Sequence, residues 1–586
     1  MRRAGPLATR WGGLGIALFL AAGLWLLWAS AVPYGEAPDE PSHVEVARFI
    51  AAHGRLPVFG PDADAYTRLD QVGIPIEPHA LAPPLPYLVG AALTALPVGD
   101  AGGARVAAAM RAGALLAALV AVACTYALVR QLLPQAPGLA APVAALLAAV
   151  PQVSFQAAVA NSDIHALAGA AAVGATWPLV RCPAGALAFG LVAGLALLTK
   201  PTAYPAVAVA VAAAWWRCRQ PSSPAPCRPD AIRSPQAWGR GARARRALML
   251  LAAGAVAGPW VARNLVLYGE PLPLRTSAAA FAALAPPVPI PGATAPPLLS
   301  AAYLHAWGAI TLPSLWATFG RLDLFAPWWC YAAIAGLGAG GALGLVRLAR
   351  QQGSWAALGS SRLAAAVLVA WPAACLLATV AASSGRYFPP HGRYLLPLLP
   401  PLVLTLALGW RALWPTARRA PWGLVAAMVA LNLYCLFGVV LPHYYGPSSA
   451  RLTVTVDAPR PGELVAAATR VRGWAVVSGR EQWALGTIGG PPAWHALPER
   501  VWAVHAESGR LLAGGRGAAR PDVARALQTP EVATAGFEFR WAAAGEPAGG
   551  CPADHIARGE LAHLTVCADD PRAVAPTCVT LPVRLP

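Results

Sequence analysis

Ten residues just after the first apolar run, Glu36-Ala37-Pro38-Asp39-Glu40-Pro41-Ser42-His43-Val44-Glu45, gather four carboxylates and an imidazole. Carboxylates are scarce through the apolar part of this chain, because an ionised Asp or Glu in a bilayer costs a few kcal/mol or more. Asp39 and Glu40 follow Pro38, which holds their backbone in an extended or turn geometry. A carboxylate so placed is suited to act as a general base toward a hydroxyl. With His43 and Glu45 close by, Asp39 and Glu40 are equally suited to hold a divalent cation, Mg²⁺ or Mn²⁺ being the ions that oxygen ligands favour. A solvated acidic loop is the plain alternative, and position argues against it.

A second group is basic. Gly385-Arg386-Tyr387-Phe388-Pro389-Pro390-His391-Gly392-Arg393-Tyr394 crowds two guanidiniums and an imidazole into a short Pro-rich stretch. The planar fork of arginine matches phosphate oxygens. Lys200, in Leu198-Thr199-Lys200-Pro201-Thr202, and Arg263, in Ala262-Arg263-Asn264, end apolar segments. Each taken alone reads as a snorkelling anchor at a membrane interface. Asp163, in Asn161-Ser162-Asp163, adds a carboxylate of the same kind of placement.

The elements that must position these groups are membrane helices. The chain has 586 residues, 57% of them hydrophobic and only 12% charged, against about a quarter charged in an ordinary soluble domain. A single soluble core is excluded. The apolar runs predict eleven spans: 11–32, 105–130, 139–160, 163–180, 184–200, 202–216, 247–267, 325–347, 363–383, 395–412 and 421–442. A shorter piece, 84–97, fits an interfacial or re-entrant helix. From a cytoplasmic N-terminus the inner loops hold Arg130, Arg181, the cluster from Arg217 to Arg246, Arg347, Arg350, Arg362, Arg411, Arg418 and Arg419, as the positive-inside rule requires. Eight arginines and one aspartate lie between Arg217 and Arg246, so the net charge of +18 reflects orientation in a membrane rather than nucleic-acid binding. Asp39, Glu40, Asp163, Lys200, Arg263, Arg386 and Arg393 all fall on the opposite face.

Residues 1–445 are thus expected to form the membrane domain, with a first outer loop over 33–104. From 446 to 586 the pattern changes to alternating runs such as Leu452-Thr453-Val454-Thr455-Val456 and Gly536-Phe537-Glu538-Phe539-Arg540, separated by Gly- and Pro-rich turns. Such runs predict an all-β sandwich, and an odd number of spans puts it outside the cytoplasm. Cys567 and Cys578 sit on consecutive strand-like runs and are placed to face each other across a hairpin, with Cys551 left over. No CxxC pair or His/Cys cluster suggests a cysteine metal site.

These landmarks resemble the polytopic C-superfamily glycosyltransferases, close to the family 39 mannosyltransferase and aminoarabinose-transferase group and its bacterial relatives. The matching pieces are Pro38-Asp39-Glu40-Pro41-Ser42-His43, Gly54-Arg55-Leu56-Pro57, Pro83-Pro84-Leu85-Pro86-Tyr87, Asn161-Ser162-Asp163, Leu197-Leu198-Thr199-Lys200, Arg263-Asn264 with Tyr268-Gly269, and Gly392-Arg393-Tyr394-Leu395-Leu396-Pro397. They run in family order over about the first 400 residues. The resemblance implies an inverting transferase in the bacterial cytoplasmic membrane. Its sugar would come from a polyprenyl-phosphate carrier and pass at the outer face to a cell-envelope glycan, lipid or protein. Asp39 would be the catalytic base with Glu40 beside it. His43, Lys200, Arg263, Arg386, His391 and Arg393 would hold donor and phosphate; no cofactor is implied, and a divalent cation on Asp39, Glu40 and His43 stays open as the other use of these residues. One departure is that Leu81-Ala82 stand where the family has a His or Lys, with His79 displaced upstream. The competing class is a transporter or flippase of a glycolipid precursor, which places ionisable groups at the midplane between broken helices; the sequence shows neither that placement nor internal repeats.

Overall fold

The computed structural model describes residues 6–63, 77–95, 103–219, 235–284, 297–350, 362–383, 391–417, 419–446, 450–460, 462–465, 469–479, 494–505, 510–527, 530–541, 561–573 and 575–584. It divides into two compact units, the first closing at Val440 and the second running on from Leu441.

The first unit is helical. In chain order it contains α1 (Pro6–Ala31), α2 (Glu40–His53), α3 (Leu85–Leu93), α4 (Gly103–Leu132), α5 (Ala140–Ala149), α6 (Pro151–Ala158), α7 (Asp163–Thr176), α8 (Pro183–Leu197), α9 (Tyr204–Arg217) and α10 (Pro235–Tyr268). It continues with α11 (Leu274–Leu284), α12 (Ala301–Trp316), α13 (Trp328–Arg350), α14 (Arg362–Ala382), α15 (Leu399–Leu413) and α16 (Ala420–Tyr434). Two short strands, β1 (Thr318–Phe319) and β2 (Leu324–Phe325), pair between α12 and α13.

Among the described residues, seven helices are long and apolar enough to cross a membrane: Gly12–Ala31, Arg105–Leu132, Gly241–Tyr268, Trp328–Arg350, Arg362–Ala382, Gly392–Leu413 and Ala420–Tyr445. In this multi-pass helical unit four of the eleven expected spans, 139–160, 163–180, 184–200 and 202–216, differ from the expectation. The segment expected over 139–160 is broken into α5 and α6 with a bend of 65°. Val150 at the junction is extended and Pro151 follows it, a residue whose ring cannot continue the preceding helix. α7, α8 and α9 have 14, 15 and 14 residues, so each rises about 21 Å, short of a roughly 30 Å hydrocarbon core. α7 is buried almost throughout, and so is α5 at every residue but Ala141; such burial marks an interior rather than a lipid-facing span. α12, which carries Pro313 within it, occupies a stretch with no expected element.

The second unit is built on two β-sheets, as the alternation predicts, with short helical turns over Pro521–Ala526 and Pro530–Val532. One sheet has the order β3 (Arg451–Ala458), β4 (Arg470–Gly479), β9 (Gly536–Arg540), β8 (Ala513–Ala518), with β5 (Trp494–Ala496) also on β4. The other has the order β11 (Thr577–Arg584), β10 (Leu561–Asp569), β6 (Arg500–His505), β7 (Arg510–Leu511). Their inner faces share one core of Leu452, Val471, Phe537, Phe539, Leu564 and Val583. On β9 the period of two is plain: Phe537 and Phe539 are buried, while Glu538 takes both Arg470 and Arg472 on the outer face, at 2.6 and 2.9 Å. Cys567 and Cys578 are directly opposed on β10 and β11 and form a disulfide. Cys551 lies outside the described residues.

Candidate functional site

Asp39 is the residue that enters α2. Its backbone is left-handed, with φ 60° and ψ 7°, a conformation rare for residues other than glycine and tolerated best by Asp and Asn. The short loop from α1 therefore reverses at Asp39 and presents its carboxylate beside the first turn of α2.

What fixes this loop is Arg111, an arginine in the middle of α4 that is 1% exposed. Its guanidinium donates to Glu40 Oε1 at 2.8 Å and Oε2 at 2.9 Å, and to the carbonyls of Val32 at 2.9 Å and Pro33 at 3.2 Å. Those carbonyls end α1, where helical partners run out. Glu40 also accepts from the backbone N–H groups of Gly35 at 2.9 Å and Ala160 at 2.8 Å. The sequence reading makes Glu40 a second reactive carboxylate or a metal ligand. The structure gives it another place: a fully buried pair, with four donors on its two oxygens, that ties α1, α2, α4 and the loop before α7 together. Arg111 escapes the sequence reading because a single arginine in an Ala-rich run resembles a helix anchor. The available signal was its position within a span, where an ionisable residue asks for a partner.

Arg393 lies opposite Asp39. Its Nη2 is 2.6 Å from Asp39 Oδ2, and its Nη1 is 3.7 Å from Asp163 Oδ2. Asp163 Oδ1 takes Lys200 Nζ at 2.6 Å. Lys200 also sits 4.9 Å from the centre of the Tyr394 ring, and Arg393 5.2 Å from it. Two carboxylates and two cations from four separate segments thus form one chain, Asp39, Arg393, Asp163, Lys200. Burial opposes ionisation of Asp39, but the adjacent Arg393 outweighs it and holds the carboxyl far below the usual carboxylate range.

Each member is placed by a local feature of the sequence. Arg393 lies in a tight 3₁₀ turn over Gly392–Leu398. A side chain on Gly392 would collide with the Thr311 carbonyl and the Leu315 nitrogen of α12, and the Gly392 N–H donates to Ser314 Oγ at 2.7 Å. Only glycine lets the turn approach α12 so closely. Asn161 prepares Asp163: its amide donates to the Gln156 and Val159 carbonyls, and its oxygen accepts from the Ile164 N–H at 3.0 Å, satisfying a free donor of the first turn of α7. Lys200 follows α8, whose end is joined to α3 by a bond from the Leu85 N–H to the Leu198 carbonyl at 2.9 Å.

His43 lies one turn along α2 from Asp39. Its Nδ1 is 2.9 Å from the Tyr87 hydroxyl, its ring meets His79 edge-on at 5.3 Å between centres, and its Nε2 is buried with no hydrogen-bond partner. Burial first, and then His79, push its imidazole well below the ordinary value. His79, which looks displaced in the sequence, comes from a 3₁₀ turn over Glu77–Leu81. One ligand atom from each of Asp39, His43 and His79 lies within 4.8 Å of the others. A cation would therefore find Asp39 and His43 as expected, but His79 in place of Glu40. His391, beside Tyr394 at 5.7 Å, is lowered by burial and by Arg393 to about 4.

Two expected donor ligands are not brought into this chain of charges. Arg263 donates to the Pro57 carbonyl, and the Phe59 N–H donates to Tyr268 at 3.1 Å, so the end of α10 clamps the segment after α2. Arg386 lies outside the described residues. A broken helix, which the sequence did not disclose, is present at α5 and α6, but the two helices carry no Asp, Glu, Lys or Arg.

The fold and site define a multi-pass helical membrane protein with a buried, alternating carboxylate–cation cluster. No known family profile matches the chain, and no curated protein does. Among solved structures it is similar to ArnT from Cupriavidus metallidurans. The form bound to undecaprenyl phosphate is matched at 14% identity over 74% of this chain and 77% of that one, with a TM-score of 0.42. The apo form is matched at 15% identity over 75% and 77%, also with a TM-score of 0.42.

Proposed function

We propose that this protein is a membrane glycosyltransferase that takes a sugar from a polyprenyl-phosphate carrier and delivers it to a hydroxyl acceptor of the cell envelope at the outer face. The observation that carries the reading is Arg393. Its guanidinium is 3% exposed, and of its nitrogens only Nη2 makes hydrogen bonds, while Nε and Nη1 have no hydrogen-bond partner. Buried donors without acceptors ask for a ligand, and a phosphodiester supplies anionic oxygens in the geometry a guanidinium fits.

In the proposed reaction the acceptor oxygen attacks the anomeric carbon, the bond from that carbon to the phosphate oxygen breaks, and polyprenyl phosphate leaves. The hydroxyl proton passes to Asp39. Paired with Arg393, Asp39 is a weak base. When a donor phosphate draws the guanidinium charge to itself, Asp39 regains basicity, so donor binding arms the base. Lys200 and Asp163 hold Arg393 in register from the other side.

Purified protein supplied with polyprenyl-phosphate sugars and an envelope extract tests the reading. Release of polyprenyl phosphate together with sugar transfer is expected. Absence of transfer, with movement of the lipid across proteoliposome membranes, would instead establish the transporter class.

A further inference from the structure

We infer that Asp39, His43 and His79 form a binding site for a late first-row divalent cation, with Zn²⁺ as the fitting ion and Mg²⁺ as a poor one. The site shares Asp39 with the transferase reading, but cation binding is measured without donor or acceptor, so the two stand or fall separately.

Geometry comes first. Asp39 and His43 are four residues apart at the start of α2, joined by a bond from the His43 N–H to the Asp39 carbonyl at 3.0 Å, and side chains at that spacing share a helix face. His79 reaches the same point from the 3₁₀ turn before α3. The three ligand atoms lie within 4.8 Å of one another. Ligands about 2.0 to 2.2 Å from a tetrahedral ion are roughly 3.3 to 3.6 Å apart, so closing on the ion takes a movement on the order of 1 Å.

The second observation is independent of this spacing. His43 is 3% exposed and its Nε2 has no hydrogen-bond partner, although a buried polar atom left unpaired is costly. Ring packing of His43 on His79 explains the contact but leaves Nε2 without a partner. The other nitrogen, Nδ1, is held by Tyr87 at 2.9 Å. A histidine metal ligand is oriented in this way, one nitrogen fixed by an outer partner and the other turned to the ion.

Ligand chemistry then selects the ion. With Glu40 committed to Arg111, the hard oxygen set expected for Mg²⁺ is not available. Two imidazoles and one carboxylate suit Zn²⁺ and its neighbours, whereas Mg²⁺ demands an octahedron of oxygens. Arg393 and Lys200 are close, yet their two charges are balanced by Asp39 and Asp163, so a cation enters a neutral cluster. Arg393 holds Asp39 Oδ2, which leaves Oδ1 for the ion, and three protein ligands leave a coordination position for an oxygen of a bound molecule.

The test uses the full chain in detergent, stripped with chelator and titrated with Zn²⁺ or Mg²⁺. One Zn²⁺ per chain is expected, bound at least 100-fold more tightly than Mg²⁺. His43→Ala and His79→Asn should each weaken Zn²⁺ binding at least tenfold and abolish the rise in melting temperature that Zn²⁺ causes, while the exposed His305→Ala variant keeps both. Zn²⁺ binding unchanged in both variants, or Mg²⁺ binding as tight as Zn²⁺, overturns the site. Should a variant fail to fold, X-ray absorption on the Zn²⁺-loaded wild-type protein decides: scattering from two imidazoles is expected, and its absence overturns the proposal.

Discussion

Asp39 and Glu40 are adjacent in sequence and opposite in fate. Asp39 is held by one guanidinium and borders the imidazoles of His43 and His79, whereas Glu40 is enclosed by four donors. Asp39→Asn keeps the left-handed backbone, which Asn also tolerates, and removes basicity together with the negative charge that faces Arg393. Transfer should fall by about 10² to 10⁴, the usual cost of losing a general base, with donor binding retained; transfer at the wild-type rate would remove Asp39 from the chemistry. Glu40→Gln should behave differently. It leaves Arg111 as a buried charge without its counter-charge, a loss of roughly 3 to 5 kcal/mol, so the variant should show lower yield and melting temperature before any kinetic effect. Arg111→Met with Glu40→Gln should recover part of that loss, and a double-mutant cycle measures the coupling; strict additivity would show that the two groups act independently. For Arg393→Ala, donor affinity should weaken by about 1.5 to 3 kcal/mol, the worth of a hydrogen bond to a charged group, measured by lipid-donor binding. Arg263→Ala should leave donor affinity nearly unchanged, because that side chain is engaged with the Pro57 carbonyl.

At the scale of elements, the segment behind α2 is a brace. Arg55 grips Asp62 through two bonds at 2.7 and 2.6 Å, Val58 N–H joins the same carboxylate at 2.7 Å, and Tyr268 and Arg263 fasten Phe59 and Pro57 to α10. The Asp62 carboxyl is accordingly lowered to about 2, first by Arg55, against a smaller opposing effect of burial. A lowered carboxylate stabilises the folded state above its ordinary range, and that contribution is lost as pH falls from about 4 to about 2. Hydrogen exchange over residues 54–62 should therefore speed up through that window in the wild-type protein and stay flat in Asp62→Asn; identical profiles would show that the brace carries no tension on the loop. Much of this level was legible in the sequence. Asp39, His43, Asp163, Lys200 and Arg393 are found together because each sits in a short motif beside Pro, Gly or Asn, where local geometry is dictated by residue type. Arg111 and His79 were not legible, since their meaning depends on contacts from positions 71 and 36 residues away from Glu40 and His43. α7, α8 and α9 read as spans for a related reason: an all-apolar run of about 15 residues has one appearance whether it faces lipid or protein. On the β strands the period of two shows inward and outward residues directly, so the sandwich was readable down to its disulfide.

For the whole molecule the decisive question is on which side of the membrane the β unit emerges. The expectation from eleven spans rests on parity, and the span count of the helical unit does not support parity as an argument. Helix direction supplies a better one. α4, α9, α13 and α15 end near Arg130, Arg217, Arg347 with Arg350, and Arg411, while α10 carries Arg243, Arg245 and Arg246 in its early part, and α14 and α16 begin beside Arg362 and Arg419. Arg105 and the buried Arg111 of α4 and Arg263 of α10 lie elsewhere on their helices, but from α9 through α10, α13, α14, α15 and α16 the arginine-rich ends alternate as a chain crossing back and forth requires. The positive-inside rule predicts that those ends are cytoplasmic, and with them that α16 runs outward from Arg419 and the chain after Tyr445 lies on the outer side. The Cys567–Cys578 disulfide agrees, since such bonds persist in oxidising compartments and are rare in the cytosol. Reporter fusions after Gly446 should therefore be active only outside, and fusions within 220–234 only inside. A membrane-impermeant thiol reagent should label Cys567 and Cys578 in intact cells only after reduction. Cytoplasmic activity of the Gly446 fusion would reverse the assignment of faces, and with it the claim that the Asp39 cluster meets its lipid donor from outside.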